Sequence, residues 1–260
     1  MIRTTLTLVL VAGVLVTPAP EAAAQTPAGA TAPRAALPPA REVIARYVKA
    51  FGGRDALMQH TSMHSTGTFE IASMGMRGTM ESFSAKPNRV LIKVAFPGVG
   101  EMRQGFDGEV GWSIDPASGP SVLEGRQLTE RKQDSDFFNM LHEDSKFSAM
   151  ETVERVTFEG KDAYKVKLTR TSGDVYHEYF DVESGLLVGS VVSRESPMGR
   201  IEATSVMGDY KTFGGILLPT RITQKGAVGE IVVTIDNVEF DKVDPATFAL
   251  PPEIKSLAAK

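Results

Sequence analysis

From His60 onward, apolar and polar side chains alternate with a period of two. Val90, Ile92, Val94 and Phe96 alternate with Leu91, Lys93 and Ala95. Tyr164, Val166 and Leu168 alternate with Lys165, Lys167 and Thr169, and Ile231, Val233 and Ile235 with Val232 and Thr234. That period places successive side chains on opposite faces of a strand, so each stretch predicts a half-buried antiparallel strand. Turn dipeptides punctuate the pattern at short intervals: Asp107-Gly108, Gly119-Pro120, Glu159-Gly160, Ser172-Gly173, Ser184-Gly185 and Gly214-Gly215. About ten strands joined by hairpins follow, in one large meander. A sheet that wide twists and curls instead of staying flat. The fold class is α+β, mainly β.

Two stretches depart from the alternation. Between Ala40 and Phe51 the apolar residues Val43, Ile44, Tyr47, Val48 and Phe51 recur at helical spacing, and Gly52-Gly53 stops the pattern, predicting an N-terminal helix. Arg126 to His142 is strongly charged and gathers Phe137, Phe138 and Leu141 near its end. It predicts a helix, or two short ones, that either bridges two strands at the surface or covers the concave side of the sheet as a lid. No repeat stands out, and one domain is expected over about residues 40–252, with 253–260 as a C-terminal tail.

The N-terminus carries an export signal. Arg3 gives a basic start, Leu6 to Val16 an apolar run, and Ala22-Ala23-Ala24 a small-residue cleavage site, so residues 1–24 read as a cleavable signal peptide. The run is shorter than the about 20 apolar residues that span a bilayer, and no second long apolar segment occurs, so no transmembrane segment is expected after cleavage. Residues 25–39, rich in Ala, Pro and Thr, read as a disordered spacer. With no cysteine, disulfides, thiolate metal sites and a lipid-modified cysteine anchor are all excluded. Removing residues 1–24 takes away Arg3 and Glu21 and leaves the net charge at −4, which gives no basic footprint for nucleic acid. A soluble periplasmic location is expected.

Chemistry-bearing motifs are sparse. His60 and His64 are four apart, but the position after the first is Thr61 where a zinc peptidase helix needs glutamate. Gly111-Trp112-Ser113-Ile114-Asp115 lacks the closing glycine of a hydrolase elbow, and Gly98-Val99-Gly100 meets Arg103 where a dinucleotide fingerprint needs its third glycine. Asp134 and Asp136 read as solvated carboxylates on the charged segment. No enzyme activity, no metal and no cofactor is expected. Methionine is more suggestive: Met74, Met76 and Met80 lie close together, with Met102, Met140, Met150, Met198 and Met207 elsewhere. Its flexible thioether serves either as core filler or as the wall of a cavity that accepts irregular apolar partners. Trp112 and the Phe137–Phe138 pair likewise either plug a curled sheet or form a ligand wall.

The order of motifs then becomes specific. Gly75 to Glu81, Lys86-Pro87-Asn88-Arg89, Phe106-Asp107-Gly108, Gly111-Trp112 and Asp115-Pro116 occur in sequence, and Tyr210, Gly214-Gly215, Leu218-Pro219 and Asp244 through Phe248 to Pro251 follow near the end. This succession resembles the LolA/LolB-like superfamily of periplasmic lipoprotein carriers and outer-membrane lipoprotein-sorting proteins, over most of residues 40–252. The resemblance implies an unclosed half-barrel wrapped around helices that form a lid over an apolar cavity. It implies lipid or an acylated lipoprotein as partner, or an envelope protein partner where the scaffold serves as a sensor module, and no metal or nucleotide. Met74, Met76, Met80, Val90, Ile92, Val94, Phe96, Trp112, Phe137, Phe138 and Leu141 are the expected cavity lining. Lys86 occupies the basic position before the Pro-Asn turn, where the best-known carrier has arginine; it brings a point charge without the planar fork.

Overall fold

The computed structural model describes residues 36–196, 199–226 and 229–258. The signal peptide expected at 1–24 and residues 25–35 of the expected spacer lie outside them. Helix α1 spans Ala40–Ala50 and a short α2 Arg54–Met58. Six strands follow as a meander: β1 (Ser62–Ile71), β2 (Met76–Ala85), β3 (Arg89–Phe96), β4 (Gly100–Phe106), β5 (Gly111–Asp115) and β6 (Gly119–Val122). Helix α3 (Gly125–Asp134) begins a crossover, and seven more strands run as a second meander. These are β7 (Phe147–Phe158), β8 (Lys161–Arg170), β9 (Val175–Asp181), β10 (Leu187–Ser196), β11 (Gly199–Phe213), β12 (Ile216–Gly226) and β13 (Gly229–Phe240). Helix α4 (Pro252–Ala258) ends the described chain.

The last strand closes on the first. β13 pairs antiparallel with β1, with Thr68 opposite Thr234 and Phe69 opposite Val233, so the two meanders form one sheet in the order β6-β5-β4-β3-β2-β1-β13-β12-β11-β10-β9-β8-β7. β6 and β7 remain as free edges, and the sheet is an unclosed, curled half-barrel. Its thirteen strands exceed the expected ten. The surplus includes β5 and β6, of five and four residues, too short to show alternation in the sequence.

Alternation gives the sheet two apolar faces. On the inner face, defined by α1, Val166 and Leu168 of β8, Phe180 of β9, Ile216 and Leu218 of β12 and Val238 of β13 pack against Val43, Ile44, Tyr47 and Phe51. These strand positions are two residues apart, as the period requires. Tyr47 meets Phe51 and Phe180 at ring separations of 5.1 and 5.4 Å. On the outer face Leu91 of β3 and Trp112 of β5 pack with Phe248 and Ile254. The segment expected as a tail from 253 on lies in helix α4, with Ile254 fully buried against the sheet. Its single apolar anchors in a Pro-rich stretch gave no periodic signal.

Candidate functional site

The inner face of β1–β3 and β13 carries a second apolar cluster made wholly of strand side chains. Met80, Val94 and Phe96 are its buried centre, with Phe69, Ile71, Met76, Ile92, Val233 and Ile235 around them. Register explains the grouping: Met80 lies directly opposite Val94, and Gly67 sits between Met80 and Ile235 across β1. Phe96 meets Phe69 edge-on at 6.0 Å, and its ring lies 3.0 Å from where a Cβ on Gly78 would stand, so only glycine leaves that space. Ile235 also packs against the cluster beneath α1, which makes the inner apolar surface continuous from one half of the sheet to the other. Met102, opposite Val94 on β4, borders this surface and is 43% exposed.

The crossover between β6 and β7 straps the two sheet edges together. Its start is held by the Leu123 amide donating to the Gly111 carbonyl at 2.7 Å. Along α3, Arg131 donates to Gln104 of β4, while Arg126 pairs with Asp174 in the β8–β9 turn at 2.8 Å. Arg170 of β8 reaches Gln133 at 3.0 Å and Asp134 at 3.1 Å. Beyond α3, the Phe137 amide donates to the Pro87 carbonyl at 3.0 Å. Lys86 donates to the Met58 carbonyl at 2.8 Å, and its ammonium stands 4.8 Å from the centre of the Phe138 ring. The basic turn residue thus joins α2, the β2–β3 turn and the crossover, through a cation–π contact and a carbonyl.

Under this strap lies a cavity of about 330 Å³. Its floor is Tyr176, Glu178, Ser190, Val192 and Met207 from β9–β11; α1 contributes Tyr47, and the crossover contributes Met140, His142 and charged residues of α3. At its heart is a buried pair. His142 Nε2 lies 2.6 Å from Glu178 Oε2, and Nδ1 lies 3.0 Å from the Met140 carbonyl. A carbonyl only accepts, so Nδ1 carries a proton, and against an ionised Glu178 Nε2 carries one too, a geometry that suits an imidazolium. Burial alone would push the His142 pKa down, but the charge and hydrogen bond of Glu178 together with the Met140 carbonyl outweigh burial and the opposing Lys146, and it lies above its ordinary value. Burial, then Tyr210 and Glu178, push the Tyr47 phenol well up. Burial first and Glu178 second raise Tyr210 too, whose hydroxyl donates to the Leu187 carbonyl.

The expected lining residues fall into separate groups. Met76, Met80, Ile92, Val94 and Phe96 come together on the inner face. Val90 belongs to the same face at the far end of β3, opposite Phe106. Phe138 packs beside Leu141 beneath α1, with Phe137 edge-on to Phe138 at 5.3 Å. Trp112 faces outward, its ring seated over Gly105 and against the C-terminal segment, and Met74 is 61% exposed on the β1–β2 turn. None of the eleven lines the 330 Å³ cavity, whereas Met140 and Met207 do. His142, Glu178 and Tyr47 carried no motif: the pair is 36 residues apart and meets only through the crossover. His60 and His64 are engaged separately. His60 bonds Asp241 at 2.8 Å and the Gly214 carbonyl at 3.0 Å, while His64 stacks on Phe83 at 4.3 Å. No helix among the described residues is long and apolar enough to cross a membrane.

Compared by sequence, the chain matches no family model and no curated protein. Compared by structure, it is similar to a DUF1329 family protein from Desulfovibrio piger, with a TM-score of 0.58 at 12% identity, over 82% of this chain and 98% of that one. It is also similar to a LolA superfamily protein from Nitrosomonas europaea, with a TM-score of 0.56 at 14% identity, over 82% of this chain and 99% of the other. The likeness extends over nearly the whole length of both structures and is one of fold: the open, curled sheet of this chain has a LolA/LolB-like fold.

Proposed function

We propose that this protein is a periplasmic binding and carrier protein for the acyl chains of a lipid or lipoprotein, held on the inner face of the half-barrel. One observation carries the reading: the continuous inner apolar surface, whose Met80–Val94–Phe96 part is built from strands and borders the exposed Met102. Methionines at positions 76, 80 and 102 supply a wall that adapts to a flexible chain. Burying acyl chain contributes roughly 0.8 kcal/mol per methylene, so ten methylenes give about 8 kcal/mol gross, reduced by the costs of association. An open edge and a strap held by polar contacts suit cargo that must also leave. The export signal expected from the sequence supports a periplasmic location for this activity, and the role proposed is binding.

The test is displacement of a fluorescent fatty acid, with native mass spectrometry of protein taken from the producing cell. Micromolar binding is expected, weakened about tenfold by Met102→Glu, whose exposed position leaves the fold intact. A protein that arrives without lipid and binds no fluorescent fatty acid overturns the reading.

A further inference from the structure

The cavity beneath the strap has an uneven supply of hydrogen-bonding groups. Its two arginines are already matched: Arg126 bonds Glu130 at 2.8 Å and Asp174 at 2.8 Å, and Arg170 bonds Asp134 at 3.1 Å. Glu178 gives one oxygen, Oε2, to His142, and the described residues supply no hydrogen bond to the other. Tyr47 is 4% exposed and lines the same cavity, yet its hydroxyl makes no hydrogen bond with any described residue. The hydroxyl faces the cavity, so its hydrogen-bonding capacity is directed at whatever enters that space. Across from these groups the wall turns apolar, through Met140, Leu187, Val192 and Met207. At about 330 Å³ the space lies at the small end of ligand cavities.

We infer that this cavity seats the head of an amphiphile whose polar group donates hydrogen bonds and carries no negative charge, a hydroxyl or an ammonium, with Glu178 and Tyr47 as its partners and the adjoining alkyl segment against Met140, Val192 and Met207. Four carboxylates against two arginines and one imidazolium leave the lining net negative, so a carboxylate head is disfavoured on charge as well as on hydrogen bonding. The inference rests on the acyl-binding reading and adds the class of headgroup.

The test compares three ten-carbon probes by calorimetric titration at pH 7, below their micelle concentrations: 1-decanoylglycerol, decylamine and decanoate. The glycerol ester and the amine are expected to bind about tenfold or more tightly than decanoate. Glu178→Gln is expected to bring the three within about threefold of one another, and Tyr47→Phe to weaken the glycerol ester severalfold while leaving decanoate unchanged. Tyr47→Phe keeps the ring that packs on Phe51 and Phe180, so it serves even if Glu178→Gln, which strips His142 of its counter-charge, fails to fold. Decanoate binding as tightly as the glycerol ester to the wild-type protein overturns the headgroup inference and leaves the acyl-binding reading standing. Failure of all three probes together with the fluorescent fatty acid overturns both.

Discussion

At the scale of single residues, close approach decides more than conformational freedom. Gly105 on β4 stands opposite Trp112, and a Cβ there would come within 2.7 Å of the indole ring. Trp112 is 3% exposed and cannot retreat without disturbing Leu91, Phe248 and Ile254. Gly105→Ala is therefore expected to destabilise the protein by about 1–3 kcal/mol, the usual cost of overpacking a core. Because Trp112 is the only tryptophan, its emission reports the event directly. A red shift with lowered urea midpoint is expected; unchanged emission and midpoint would show that the ring does not sit over Gly105. The same residue shows what a sequence conceals. Trp112 in an alternating stretch is legibly buried, but the choice of face depends on how the whole sheet curls, and no local pattern encodes it.

At the scale of elements, local signals and long-range partners part company. Helix α1 was legible as an apolar stripe, and the hairpins at Glu159-Gly160 and Gly214-Gly215 as turn dipeptides, since each needs positive φ that glycine adopts cheaply at 160, 214 and 215. The crossover was legible as a charged, non-alternating stretch, yet its anchor was not, because His142 and Glu178 are joined by tertiary geometry alone. That anchor carries a pH signature. His142 has its folded-state pKa raised above the unfolded value of about 6.5. Its contribution to stability is thus fully present below about pH 6.5 and is lost as pH rises through the folded-state value. Tyr47, Tyr176 and Tyr210 stay neutral across this range, their phenols pushed up by burial, and Lys146 opposes the charge. His142→Asn fits the left-handed backbone at φ 49° and removes the proton. It is expected to cost about 3–5 kcal/mol at pH 6, as breaking a buried ion pair does, and progressively less at alkaline pH. Melting temperatures of both proteins between pH 5.5 and 9 check this; a constant difference would show that the pair is not ionic.

At the scale of the whole molecule, the open seam between β6 and β7 is what separates a carrier from a packed scaffold. The covalent link between those edges is the crossover, and its polar contacts to the first meander are few: Leu123 on Gly111, Arg131 on Gln104, Phe137 on Pro87 and the Lys86 ammonium over Phe138. Its contacts to the second meander are charged, through the buried His142–Glu178 pair and the Arg170–Asp134 pair. The weaker side is the side expected to open, so that α3 swings away from β4 while staying fixed to β8 and β9. Domain and lid motions of this kind run on microsecond to millisecond timescales and set rates of entry more than affinity. The chain lacks cysteine, so Arg131→Cys with Gln104→Cys introduces the only two thiols, across the contact that has to break. Joined by a short, reducible bifunctional crosslinker, the pair is expected to slow the association of a fluorescent fatty acid at least about tenfold in stopped flow. Reduction is expected to restore it, and the same two substitutions without the linker to leave the rate at or above that of the unmodified chain. Equal rates with the linker in place would mean that cargo enters through some opening other than the one between α3 and β4.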